Sequence, residues 1–81
     1  MCIRDRLARV ILRLMDSVGQ PDGDGVTIAR RLTQNELAGM IGTTRESVNK
    51  WLGEYERQGL IERRNGLIRV LRPEALQKRI Y

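Results

Sequence analysis

Thr33 to Leu52 reads TQNELAGMIGTTRESVNKWL. Thr33 with Glu36 three positions on is a capping-box pattern, in which hydroxyl and carboxylate satisfy N–H groups that a helix start leaves free. Leu37 and Ile41, one turn apart, give that helix its apolar face. Gly42 stops it, because glycine tolerates the left-handed backbone of a helix end. A second helix starts at Thr43 or Thr44, with Glu46 placed to form another box with Thr43. Val48, Trp51, Leu52 and Tyr55 form its apolar stripe, and Gly59 ends it. Two short helices around a glycine turn make a helix-turn-helix, which predicts a recognition helix over 44–57 suited to the DNA major groove.

Downstream, Leu60 to Leu71 has apolar residues on both sides of Asn65-Gly66. Asn-Gly is the strongest short hairpin signal, since both residues accept positive φ. A hairpin directly after a recognition helix is a wing. Pro73 fits the first turn of a last short helix, where its missing N–H costs nothing. Leu76 and Ile80 are placed to pack that helix onto the core.

Upstream, Leu7, Val10, Ile11, Leu14 and Val18 fall at helical spacing, so an amphipathic helix is expected from Leu7 to Val18. Gly19 to Gly25 (GQPDGDG) reads as a loop. Its Asp22 and Asp24 resemble the start of a calcium loop, but the further ligands and closing Glu are missing. Val26 to Leu32 reads as a short strand. The first six residues, MCIRDR, read as an unrelated leader or a truncation scar, leaving 7–81 as one domain. The pattern as a whole predicts an α+β fold: a small winged helix-turn-helix with a three-helix core.

Composition narrows the function. In 81 residues the net charge is +5, mostly from arginine, whose planar fork suits phosphate and guanine. Cys2 is the only cysteine and histidine is absent. Disulfides, zinc fingers, Cys/His catalysis and the Ser-His-Asp triad are thereby excluded. Neither an enzyme nor a bound cofactor is expected in this chain. No apolar run approaches the roughly 20 residues that span a bilayer, and a reduced, cytoplasmic setting is the natural expectation.

If the stripe of the second helix faces the core, Arg45, Glu46, Asn49 and Lys50 project outward. The first turns of a recognition helix are the ones that reach base edges. Arg45 suits guanine O6 and N7, and Glu46 suits a cytosine amino group, unless Glu46 serves only as a cap. Thr33, Gln34, Asn35, Thr43, Thr44 and Ser47 lie at or near the two helix starts, where hydroxyls, amides and free N–H groups suit phosphate oxygens. Arg63, Arg64 and Asn65 on the wing suit the flanking backbone or the adjacent minor groove. A winged helix used only for protein–protein contact is the rival reading. It predicts an exposed apolar patch where these polar side chains stand. RNA binding has no exposed aromatic platform to support it.

At LTQNELAGMIGTTRESVNKWL, QGLIE and RPEALQ, and over roughly Leu7 to Leu76, the chain resembles the Crp–Fnr family of bacterial transcription regulators. The resemblance implies that Arg45 and Glu46 read a G·C-rich half-site, with Lys50 as a third base-reading position where relatives often carry Arg. Arg72 stands where the family commonly has Asp before PEAL, which predicts a weaker helix cap. Family members also carry an effector-binding β-roll and a long dimerisation helix, with no counterpart in these residues. The resemblance implies double-stranded DNA as partner, RNA polymerase as a partner of the full-length protein, and homodimerisation through that other region.

Overall fold

The computed structural model describes residues 2–23 and 25–78. In chain order these form α1 (Ile3–Val18), β1 (Gly19–Asp22), β2 (Gly25–Ile28), α2 (Gln34–Ile41), α3 (Arg45–Arg57), β3 (Ile61–Arg64), β4 (Leu67–Val70) and α4 (Pro73–Gln77). The strands make one antiparallel sheet in the order β1-β2-β4-β3. The α+β winged architecture expected from the sequence is the one present.

The first helix buries Leu7, Val10, Ile11 and Leu14, as their spacing requires, but begins at Ile3 rather than Leu7. Ile3 stands one turn before Leu7 and packs against the core, but Arg4, Asp5 and Arg6 between them hide that first turn. That turn is nevertheless tied to the rest of the fold. Asp5 is buried, Arg6 Nη1 donates to the Ile41 carbonyl at 3.3 Å, and the Arg4 carbonyl accepts from the Tyr55 hydroxyl at 2.7 Å.

The Gly19–Gly25 stretch is not a plain loop. Gly19 to Asp22 pair with Ile28 to Gly25 in a hairpin, and β2 stops at Ile28 rather than running on to Leu32. The sequence signal is weak because β1 is an edge strand exposed over most of its length. An edge strand also tolerates Pro21, whose missing N–H breaks no ladder. Gly19 is needed for close approach, since a Cβ there would lie 2.1 Å from the Met15 carbonyl oxygen. Asp22 holds the sheet: it accepts from the Thr27 hydroxyl at 2.9 Å and faces Arg69 Nε at 3.4 Å. Asp24 lies outside the described residues.

The α2 start carries the full capping box. The Thr33 hydroxyl accepts from the Glu36 N–H and the Glu36 carboxylate from the Thr33 N–H, both at 3.0 Å. Those Thr33 bonds, helped by Arg30, hold the Glu36 pKa below its ordinary value. A depressed carboxylate pKa stabilises the fold above the unfolded value and loses that contribution as pH falls through the folded one. Glu36→Gln, which cannot titrate, is therefore expected to give a shallower acid limb in denaturation followed by circular dichroism. Thr33→Ala is expected to cost about 1 kcal/mol in urea unfolding. Gly42 then takes φ +83°, and its N–H reaches the Ala38 carbonyl at 2.8 Å.

The second capping box is absent. Thr44, not Thr43, caps α3, and its hydroxyl accepts from the Ser47 N–H at 3.2 Å. Moving the cap by one residue puts Ser47, not Glu46, at the third helical position. Val48, Leu52 and Tyr55 are fully buried, while Trp51 packs at the core edge and stays partly exposed. The wing turns at Asn65 (φ 54°) and Gly66 (φ 79°), the paired positive values of a type I′ hairpin. Arg72 precedes α4 with no side-chain cap, as its charge and shape predict, and Leu76 is fully buried. Ile80 lies outside the described residues.

Candidate nucleic-acid interface

Burial of Val48, Leu52 and Tyr55 turns the opposite face of α3 to solvent, where Arg45, Glu46, Asn49 and Lys50 are all exposed. Among the described residues the Glu46 side chain makes no hydrogen bond or ion pair, so it does not serve as a helix cap. Asn49 is held: Gln34 Nε2 donates to its Oδ1 at 3.0 Å. This bond joins the α2 start to the middle of α3, so one residue expected at phosphate and one expected at a base share a bridge. It fixes the amide orientation of Asn49 and spends one of its acceptor positions.

Lys50 sits beside Trp51, with its ammonium 5.2 Å from the ring centroid, while the Arg4 guanidinium lies 5.8 Å from the same ring. Both distances fall within cation–π range. Lys50 must leave the indole to reach a base edge, and Trp51 is the only tryptophan in the chain.

Thr33, Asn35 and Thr44 are exposed at the helix starts, and Gln34, Thr43 and Ser47 are half-buried there. Thr33 and Gln34 come together with Arg63, Gly66 and Leu67 around a cleft of about 270 Å³, so the wing and the α2 start form one wall of the surface. The wing arginines are not free. Arg63 donates through Nε and Nη2 to Glu56 Oε1 at 2.9 and 2.6 Å, and Arg64 pairs with Glu62 at 2.6 Å. Exposed pairs of this kind contribute little to stability and are screened by salt, so a phosphate can compete for either arginine. Asn65 is exposed at the wing turn.

Arg31 joins this surface without having been singled out by pattern. It is exposed, makes no ion pair among the described residues, and lies so close to the wing turn that a Cβ on Gly66 would sit 3.0 Å from its Nη1. The available signal was a basic pair, Arg30-Arg31, just before the Thr33 cap. Arg30 differs, since it faces Glu36 at 3.9 Å.

Sequence and fold comparisons identify the family of the chain. Residues 5–79 match the family model of the Crp-like helix-turn-helix domain. The chain is 31% identical over 74 residues to the CRP-like cAMP-activated global transcriptional regulator of Mycobacterium tuberculosis, covering 91% of this chain and 33% of that protein. It is 36% identical over 73 residues to the global nitrogen regulator of Synechococcus elongatus, covering 90% and 33%. Its fold is similar to that of the CO-dependent transcription factor CooA from Carboxydothermus hydrogenoformans, with TM-score 0.87 and 28% identity over 93% of this chain and 35% of that one. The chain thus spans about a third of the curated relatives it matches, 33% in both cases. Matched over nearly all of its described length, it belongs to the Crp-like helix-turn-helix domain family of Crp–Fnr transcription regulators.

Proposed function

We propose that this chain binds double-stranded DNA sequence-specifically, with α3 in the major groove, as the DNA-reading part of a cytoplasmic transcription regulator. The observation that carries the reading is the outer face of α3. It presents Arg45, Glu46, Asn49 and Lys50 to solvent beside two capped helix starts. Arg45 reads guanine, Glu46 takes a cytosine amino proton, and Lys50 leaves the Trp51 ring to meet a third base. Thr33, Gln34, Asn35, Thr43, Thr44 and Ser47 hold phosphates, with Arg63, Arg64, Asn65 and Arg31 gripping the flanking backbone. Within the whole regulator, a second copy doubles the half-site and RNA polymerase is the protein contacted. No cofactor is assigned to this chain.

Salt titration on mixed-sequence duplex tests the phosphate contacts. Affinity should fall linearly on a log–log plot, and Arg64→Ala should flatten the slope by about one unit while weakening all sequences alike. Because Arg64 must first leave Glu62, the loss in absolute affinity should be smaller than for an unpaired arginine. No duplex binding at low salt would overturn the proposal itself.

A further inference from the structure

The charges of this chain are distributed unevenly. Arg4, Arg30, Arg57, Arg63, Arg64 and Arg69 each have a carboxylate within ion-pair distance. Arg6, Arg9 and Arg13 have none among the described residues, and all three are exposed. Their spacing of three and then four residues puts them on one face of α1, over roughly 10 Å at the rise of a helix. Asp16 follows Arg13 by three positions but makes no ion pair with it.

The same three arginines wall an open cleft of about 340 Å³ whose other lining residues are Val10, Met40 and Ile41. Val10 and Ile41 are buried at its base, while Met40 stands 50% exposed as the exposed large apolar side chain of the described residues. Arg6 is anchored at this cleft by its bond to the Ile41 carbonyl. An uncompensated row of guanidinium groups around an apolar floor is electrostatically poor in isolation. It is complementary to carboxylates that carry an apolar side chain between them.

We infer that the α1–α2 cleft is a docking surface for an acidic protein segment, with carboxylates on Arg6, Arg9 and Arg13 and one apolar side chain against Met40. A phosphodiester backbone satisfies the arginines but has nothing to set on an exposed methionine. The flexible thioether side chain of Met40 suits an apolar partner of variable shape. The surface uses none of the residues assigned to base reading, so the partner and duplex bind at once.

The test uses the isotope-labelled 81-residue chain and a synthetic peptide of alternating Asp and Glu with one central leucine. Amide shifts should centre on residues 6–13 and Met40, and should persist after a mixed-sequence duplex is added. Arg9→Glu and Arg13→Glu should each weaken the peptide about tenfold, since reversal turns attraction into repulsion. Duplex affinity should change far less. Met40→Ser, an exposed change that cannot unfold the core, should also weaken the leucine peptide. Several outcomes overturn the inference: no binding, equal binding of a peptide with serine in place of the leucine, or shifts centred on α3. Displacement by duplex, with matching loss of duplex affinity in the reversed variants, would instead assign the stripe to DNA backbone.

Discussion

Arg45→Ala is expected to lose about 1–3 kcal/mol of binding on the preferred duplex and to relax choice at a single base pair. The side chain is exposed in the first turn of α3, makes no ion pair among the described residues, and has no packing role to lose. Its removal should therefore leave unfolding unchanged while the gap between preferred and random duplex narrows. Glu46→Ala should behave differently. A carboxylate facing phosphates is repelled everywhere except where a cytosine amino group meets it. Its loss should weaken the preferred duplex yet leave random duplex unharmed or bound slightly better. Fluorescence anisotropy on both duplexes separates these outcomes. Equal losses on both for Arg45→Ala would contradict its role as a base reader.

Leu52→Ala is expected to destabilise the fold by about 2–5 kcal/mol in urea unfolding, because it removes a buried side chain and leaves a void. Leu52 is 1% exposed at the centre of the core and also borders the cleft between the wing and the α2 start. That is a large fraction of the roughly 5–15 kcal/mol that holds a domain folded. Its effect on DNA binding should follow from unfolding, and should vanish at temperatures where the variant is still fully native. Gly39→Ala provides a check of opposite sign. A Cβ there meets nothing within 4 Å, so the helix should gain about 0.5–1 kcal/mol from the lost backbone freedom of glycine. A neutral Leu52→Ala would mean that α3 is not packed as described.

The features legible from sequence were those decided within a few residues. Thr33 and Glu36 form their box from local spacing, Gly42 takes its left-handed turn, and Asn65-Gly66 makes its tight hairpin. Periodicity was enough to place Val48, Leu52 and Tyr55 inward, and therefore to turn Arg45, Glu46, Asn49 and Lys50 outward. Thr43 and Thr44 are adjacent hydroxyl residues that leave the second helix start open in the sequence. Only the backbone decides that Thr44 accepts the Ser47 N–H, which removes the box of Thr43 with Glu46. Nothing in GQPD marks a strand. Its pairing is set by backbone groups of β2 and by the Asp22 links to Thr27 and Arg69. The partnerships that shape the site lie farther apart still: Gln34 with Asn49, Glu56 with Arg63, and Arg4 with Trp51. Each joins elements whose meeting depends on the finished fold.

The most direct measurement of base reading is selection from a random duplex pool at low salt, run in parallel on the native chain, Arg45→Ala and Glu46→Ala. The native chain should enrich a half-site with G·C pairs at its centre. Each variant should lose enrichment at one of those pairs while still retaining salt-sensitive binding. A pool bound strongly but with no enriched sequence would contradict specific readout, and would reduce the outer face of α3 to a basic surface.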